Sequence, residues 1–309
     1  MTPLDSRPDA YGIAAPAQRI RPRPAASGPL LWLAALLCLV PEGAARAQTP
    51  PLEFGLAPYI SVRPMMALFE PMAAFLEKRL ERPVLLVTAP SVREFDARVL
   101  AGRYELAMLA PQAARLAQRE AGYVPLLRVS DDLYGVFLVP EESPLRSLRE
   151  LGGAPIAFPD RFTETAHLGR EVVAALGLAP ESIVYAPGSQ DSLPMSLRRG
   201  EHEVALMNGS AFHQMKPEQK EGLRVLGETQ RIAHVMFLAH PSMPAVQQAL
   251  IRDVIQEFWA SPEGQRFSAQ SGLSGVRPPT ENELRTLDSL AREHKRLLDE
   301  ARKDESEPQ

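Results

Sequence analysis

Short apolar runs alternate with amphipathic segments along the chain from residue 52 onward. The runs at 52–57, 83–88 and 106–110 have the length of buried β-strands. Between the first two, apolar residues recur every three or four positions and predict one face of a helix: Met65, Phe69, Met72, Leu76 and Leu80. Strands separated by helices of this length predict βαβ units in a mostly parallel sheet.

This alternation of strands and helices is interrupted once and then resumes. Two apolar runs at 124–129 and 133–139 follow each other with little between them, which predicts a crossing to a second lobe. Short strands then alternate with helices again, up to a second extended passage at 224–228 and 235–239. We expect the chain to return to the first lobe there, and the remainder of the chain to be helical.

The pattern therefore predicts an α/β protein with two lobes and a ligand cleft between them. We expect lobe 1 to comprise residues 52–130 and 230–300, and lobe 2 to comprise residues 135–225. Residues 301–309 are charged and are expected to form a flexible tail.

Residues 1–47 have the pattern of a secretory signal peptide. Arg19, Arg21 and Arg23 precede an uncharged apolar run at 30–40, and Ala45-Arg46-Ala47 forms a small-residue cleavage site. The alternative is a membrane anchor, but a spanning helix needs roughly 20 apolar residues. We expect removal of this segment and a periplasmic location.

Composition and charge narrow the range of possible functions. The formal net charge of −4 over 309 residues gives no electrostatic reason to expect a nucleic-acid partner. The single cysteine, Cys38, lies within the apolar run of the signal peptide. The exported chain would then have no disulfide and no thiol nucleophile.

Catalytic and metal-binding motifs are missing from the sequence. The six histidines are scattered, without H-E-x-x-H spacing, and there is no G-x-S-x-G, P-loop or G-x-G-x-x-G motif. His167 lies one turn into a predicted helix, where a surface position is the expectation. We expect no enzymatic activity, no metal site and no cofactor.

Six segments resemble one known family. They are residues 54–59, 69–77, 102–111, 143–153, 199–206 and 261–265. In order and spacing the chain resembles the phosphate/phosphite/phosphonate-type substrate-binding proteins of ABC transporters over nearly all of residues 52–280. The resemblance implies the type II periplasmic-binding fold.

The resemblance also implies an anion site at one turn. Phosphonate-binding relatives have a Ser-Thr-Ser turn at the start of a helix, and the matching positions here are Thr163, Glu164 and Thr165. Helix N-termini suit anions because their N–H groups are unpaired. Glu164 departs from the family, and its carboxylate would repel a phosphonate unless it points to solvent or pairs with Arg161. The alternative for Thr163 is a simple N-cap.

Further ligand-binding candidates lie after strands or before helices. They are Tyr59, Ser61, Arg63, Gln112, Tyr134, Ser189 and Asn208. Relatives have a histidine near the anion where this chain has Ser189 and Gln190. Each candidate also has an ordinary structural explanation, such as a core aromatic, a surface arginine or a helix cap.

These observations favour a periplasmic solute-binding protein that captures a small phosphonate- or phosphate-like oxyanion for an ABC importer. The expected partners are the ligand and an inner-membrane permease or sensor, and the protein is expected to be a monomer. One alternative is a ligand-sensing accessory protein for a membrane receptor kinase. A less favoured one is an enzyme on the same fold.

Overall fold

A computed structural model describes residues 50–59, 61–186 and 192–306. The predicted signal peptide at 1–47 lies outside these ranges. Within them, no helix has a stretch that is both long and apolar enough to cross a bilayer.

Strands and helices alternate in much the order that the sequence predicts. The strands are β1 (Leu52–Leu56), β2 (Val84–Val87), β3 (Leu106–Leu109), β4 (Val124–Val129), β5 (Asp132–Leu133), β6 (Gly135–Pro140), β7 (Ile156–Phe158), β8 (Ile183–Tyr185), β9 (Val204–Asn208), β10 (Leu223–Glu228), β11 (Ile232–Ala233), β12 (Met236–Ala239) and β13 (Val276–Arg277). The helices are α1 (Val62–Leu80), α2 (Val92–Leu100), α3 (Pro111–Glu120), α4 (Glu164–Ala175), α5 (Leu193–Arg198), α6 (Gly209–Gln214), α7 (Pro217–Lys220), α8 (Ala245–Ala260), α9 (Pro262–Ser271), α10 (Glu281–Thr286) and α11 (Asp288–Ser306).

In the described part of the chain, lobe 1 is built on a six-stranded sheet in the order β13-β4-β12-β3-β1-β2. Strands β1, β2 and β3 are parallel, whereas β12 runs antiparallel to β3 and β4. Alternate residues of β3 face opposite sides of this sheet. Leu106 and Met108 pack in the cluster that contains α1 and α8, and Ala107 and Leu109 pack in the cluster that contains α2 and α3. Both faces are covered, which explains why these strands read as continuous apolar runs.

Lobe 2 has a five-stranded sheet within the same described ranges, in the order β10-β6-β9-β7-β8. Strands β7, β8 and β9 are parallel, and β6 runs antiparallel to β9. Its two faces are also buried, since Val204 and Leu206 of β9 face one cluster and Ala205 and Met207 face the other. The α/β, two-lobed architecture predicted from the sequence is confirmed.

Two segments cross between the lobes and pair with each other. Strands β5 and β11 form a two-stranded antiparallel ladder, with Leu133 opposite Ile232. Beside this ladder, Arg128 is 1% exposed. Its guanidinium donates to the carbonyl oxygens of Ser130 at 2.8 Å and Asp131 at 3.0 Å and forms an ion pair with Asp132 at 2.9 Å. Arg128 thus fixes the chain where it leaves lobe 1.

Helix α11 contacts both lobes. It packs against α3 of lobe 1 and against α4 of lobe 2. Asp288 on α11 accepts from Arg115 of α3 at 2.7 Å, and Glu293 lies 3.5 Å from Arg170 of α4. The helix runs to Ser306, into the segment 301–309 that the sequence assigns to a tail.

Candidate functional site

The segments that follow the carboxyl ends of β3 and β7 contact each other. Gln112 follows β3 of lobe 1, and its Nε2 donates to the carbonyl oxygen of Phe162 at 3.2 Å. Phe162 lies in lobe 2, in the turn between β7 and α4. Ligand sites in open α/β sheets lie outside the carboxyl ends of the strands, so this junction is the candidate site.

In lobe 1, three of the predicted site residues are exposed together. Tyr59 is 49% exposed after β1, and Ser61 and Arg63 are exposed at the start of α1. Ser61 is the N-cap residue, but its hydroxyl does not bond to the helix backbone. The N-terminus of a 19-residue helix therefore carries the Ser61 hydroxyl and the Arg63 guanidinium, and Tyr59 precedes its N-cap by two positions. These groups suit a small anionic ligand.

Gln112 differs from these residues because it is fully buried. It lies in the first turn of α3, which begins at Pro111, two residues earlier than the sequence pattern predicts. Its Oε1 has no hydrogen-bond partner. Gln112 therefore joins the lobes through its nitrogen and leaves a buried acceptor oxygen unpaired.

In lobe 2, Thr163 is an N-cap. Its Oγ1 accepts from the N–H of Ala166 at 3.2 Å and donates to the carbonyl oxygen of Asp160 at 2.7 Å. The single hydroxyl proton is thus already used, so Thr163 has none to offer an oxyanion in this conformation. The structure favours the structural alternative for Thr163.

The sequence leaves Glu164 two ways to avoid repelling an anion, exposure to solvent or pairing with Arg161. In the structure Glu164 is half-buried, and no ion pair of the described residues joins it to Arg161. Arg161 lies 3.8 Å from Glu300 of α11 instead. Burial raises the pKa of Glu164, although its own backbone N–H and the side chains of Thr165 and Asn208 act in the opposite direction. Glu164 is the first residue of α4, so its carboxyl group belongs to the first turn of that helix.

Thr165 and Asn208, two of the predicted site residues, both act on the pKa of Glu164. Thr165 is 1% exposed, and its Oγ1 lies 3.5 Å from Oε1 of Glu164. Asn208 ends β9 and caps α6, because its Oδ1 accepts from the N–H of Ala211 at 3.0 Å. The side chain of Asn208 also acts to lower the pKa of Glu164, against the larger effect of burial.

Tyr134 lies at the crossing but has little surface to offer a ligand. It is 7% exposed, and the guanidinium carbon of Arg231 lies 3.6 Å from its ring centroid. Its carbonyl accepts from the N–H of Gly209 at 2.9 Å. A Cβ at Gly209 would lie 2.3 Å from the ring, so the glycine is required for this packing. Ser189 lies outside the described residues.

A buried chain of hydrogen bonds runs beside the site, where the sequence predicts only a surface histidine. Nη2 of Arg170 lies 2.6 Å from Nδ1 of His167, and Nε2 of His167 lies 3.1 Å from Nδ1 of His294. Nε2 of His294 lies 2.7 Å from Oδ2 of Asp96. An arginine only donates and a carboxylate only accepts, so the chain runs from Arg170 to Asp96 with both histidines neutral.

A neutral His167 agrees with the electrostatics of this chain. The pKa of His167 lies well below its ordinary value, because burial disfavours the imidazolium and because the Arg170 guanidinium beside it adds positive charge. His167 and His294 are separated by 127 positions, so no sequence spacing brings them together. In the ranges described, no group of three or more acidic or histidine side chains is arranged to hold a metal ion.

One family model matches most of the chain, and solved structures share its fold. The family described as "ABC transporter, phosphonate, periplasmic substrate-binding protein" matches residues 54–284. The fold is shared with PhnD1 of Prochlorococcus marinus in complex with methylphosphonate, at a TM-score of 0.69 and 12% identity over 78% of this chain and 97% of that one. A binding protein component of an ABC phosphonate transporter of Pseudomonas aeruginosa has a TM-score of 0.66 and 16% identity over 81% of this chain and 89% of that one. The periplasmic aliphatic sulphonate binding protein SsuA of Escherichia coli has a TM-score of 0.57 and 17% identity over 82% of this chain and 94% of that one. No curated protein matches the chain.

Proposed function

Because this chain belongs to the family of periplasmic substrate-binding proteins of ABC phosphonate transporters, we propose that it captures a phosphonate- or phosphate-like oxyanion between its lobes. Members of this family bind a small molecule and work with an ABC permease, and they are not enzymes. The loaded protein would deliver the oxyanion to an inner-membrane permease.

One observation carries this proposal: the segments that follow the carboxyl ends of β3 and β7 contact each other at the Gln112–Phe162 bond. On one side of this junction α1 begins beside Ser61 and Arg63. On the other side α4 begins beside Thr165 and Asn208. Helix N-termini facing one junction supply N–H groups and positive dipole ends, which is what an oxyanion needs.

The relatives support the ligand class. PhnD1 binds methylphosphonate, and SsuA is a sulphonate-binding protein. Both ligands are small tetrahedral oxyanions with an organic substituent. Tyr59, which is half-exposed, is suited to contact such a substituent.

Location and partners follow from the family. We propose that residues 1–47 direct export and are removed before Gln48, and that the protein acts as a monomer. Closure of the lobes around the ligand would occur at the paired crossing strands β5 and β11, because these are the elements that connect the two sheets.

A thermal-shift screen tests the ligand class. The purified protein would be heated with methylphosphonate, phosphate, phosphite, an alkylsulfonate, a polyamine and a neutral sugar, each at millimolar concentration. A ligand at 100 times its dissociation constant adds about 2.7 kcal/mol to the free energy of unfolding. We expect a rise in Tm with a phosphorus oxyanion. A rise with the polyamine or the sugar alone would contradict the proposal.

A further inference from the structure

The C-terminal helix α11 is attached to lobe 1 by charged and apolar contacts along α3. Oδ1 of Asp288, at the start of α11, lies 2.7 Å from Nε of Arg115, and Lys295 pairs with Glu120 at the end of α3. Between these two ion pairs, apolar side chains of the two helices are buried in one cluster: Leu116, Ala291 and Leu298. Helix α11 is therefore expected to move with lobe 1.

The contacts of α11 with α4 of lobe 2 are longer. Nε of Arg170 lies 3.5 Å from Oε1 of Glu293, and Oγ of Ser289 lies 3.3 Å from Oε1 of Glu171. Among the described residues, Nε of Arg170 and Nε of Arg161, in the turn before α4, are buried without a hydrogen-bond partner. Buried donors without partners cost free energy, so α11 is held less firmly on α4 than on α3.

One imidazole of α11 joins the two lobes. His294 is fully buried, and its Nε2 lies 2.7 Å from Oδ2 of Asp96 of α2 in lobe 1. Its Nδ1 lies 3.1 Å from Nε2 of His167, in the first turn of α4. Its ring is also edge-on to the ring of Phe162, with the centroids 6.4 Å apart. His294 thus contacts both the first turn of α4 and the turn that precedes it.

Phe162 connects these contacts to the candidate site. Its carbonyl oxygen accepts from Nε2 of Gln112 of α3 at 3.2 Å, and its ring packs against the cluster that α3 and α11 share. Because α3 and α11 are attached to each other, a rotation that takes Phe162 away from Gln112 also takes it away from α11. Opening of the lobes at this junction therefore requires both contacts to separate.

We propose that α11 acts as a strap between the lobes: it moves with lobe 1, binds α4 of lobe 2 when the lobes close, and separates from α4 when they open. Each contact between α11 and α4 then stabilises the closed form and raises the affinity for the ligand. His294 is in this account a positioning residue, since it acts through α4 and Phe162. The proposal rests on the proposed function, because it assumes that the lobes close around an oxyanion.

A cross-link between α4 and α11 tests the proposal. In a Cys38→Ser background, which removes the single native cysteine, Glu171→Cys/Ser289→Cys places one thiol on each helix at a site of side-chain contact. The protein would be oxidised with methylphosphonate bound, and the exchange of bound and free ligand would be followed by phosphorus NMR. We expect the exchange rate to fall at least about tenfold relative to the reduced form, because the lobes cannot open.

A cross-link within lobe 1 is the matched control. Glu120→Cys/Lys295→Cys, in the same background, joins α11 to α3, and its exchange rate should be the same in the oxidised and reduced forms. Thiol titration checks that each cross-link has formed. Equal exchange rates in oxidised and reduced Glu171→Cys/Ser289→Cys overturn the proposal and leave the proposed function intact. Absence of methylphosphonate binding to the folded wild-type protein overturns the proposed function and this proposal with it.

Substitutions give a second test that needs no cross-link. Ser289→Ala/Glu293→Gln removes contacts of α11 with α4, whereas Asp288→Asn weakens its contact with α3. We expect the first variant to bind methylphosphonate about twofold to fivefold more weakly than the wild type, with a larger radius of gyration in small-angle X-ray scattering of the unliganded protein. Asp288→Asn should lower Tm and leave the affinity unchanged. The same affinity in both variants contradicts the strap.

Discussion

Nε2 of His167 and Nδ1 of His294 lie 3.1 Å apart, and both side chains are almost completely buried. His167 belongs to α4 of lobe 2, and His294 belongs to α11. His294 also contacts Asp96 of lobe 1, so one line of hydrogen bonds passes through α11 from one lobe to the other. The C-terminal helix is therefore part of what holds the lobes in their relative positions.

Replacing His294 should destabilise the protein strongly. In His294→Ala, the buried groups of Asp96 and His167 lose their partner, which should lower the free energy of unfolding by about 2–4 kcal/mol. Urea unfolding followed by circular dichroism measures this change. His202→Ala is the control, because His202 has no hydrogen bond among the described residues, and it should stay within about 0.5 kcal/mol of the wild type. Equal effects of the two substitutions would show that the buried chain of hydrogen bonds does not contribute to the free energy of unfolding.

Stability should fall as the pH drops below 6.5. Burial lowers the pKa of His167, and it lowers the pKa of His234 from 6.5 to about 4. In the unfolded chain these two histidines bind protons near pH 6.5, whereas in the folded chain they stay neutral. Stability is therefore lost as the pH falls from 6.5 towards the folded-state pKa.

Each such group contributes up to about 1.4 kcal/mol for each pH unit in this window. Urea unfolding at pH 7.5, 6.5 and 5.5 measures the loss, and His234→Gln should show a smaller slope than the wild type. Constant or rising stability from pH 7.5 to pH 5.5 would contradict these assignments.

Gly209→Ala should disturb the crossing through Tyr134. The added Cβ would lie 2.3 Å from the tyrosine ring, which must move from its place under Arg231. We expect a loss of about 1–3 kcal/mol, typical of overpacking. Ser210→Ala, at the next and less buried position of α6, is the control and should have little effect. If Gly209→Ala lowered the free energy of unfolding no more than Ser210→Ala does, the tight contact between Gly209 and Tyr134 would be contradicted.

Arg128→Lys should destabilise the protein although it keeps the charge. A lysine ammonium cannot reproduce the fork of donors that reaches the carbonyls of Ser130 and Asp131 and the carboxylate of Asp132. We expect a loss of about 2–4 kcal/mol. Arg252→Lys, at an exposed arginine paired with its neighbour Asp253, should change the stability by less than about 0.5 kcal/mol. Differential scanning calorimetry compares the two variants.

Much of the fold could be predicted from the sequence, because buried strands and helix faces leave local patterns. The apolar run at 106–110 predicts β3, and the two runs at 124–129 and 133–139 predict the crossing between the sheets. Short elements without such a pattern were missed, among them α6, α7 and the paired strands β5 and β11.

The site was harder to predict than the fold. Thr165 and Asn208 can be picked out from the sequence because they lie at a helix start and a strand end, and both act on the pKa of Glu164 in the structure. The orientation of Glu164 depends on how α4 and α6 pack, which the local sequence does not encode. The contact between His167 and His294 joins positions 127 residues apart, so it leaves no local pattern.

Isothermal titration of the wild-type protein with methylphosphonate at pH 6.5 tests the central claim most directly. The account predicts saturable binding with one ligand per chain, weakened at least about tenfold in a Tyr59→Ala/Arg63→Ala double variant that still folds. Absence of any binding heat at millimolar methylphosphonate, from a protein whose circular dichroism shows it to be folded, would contradict the account.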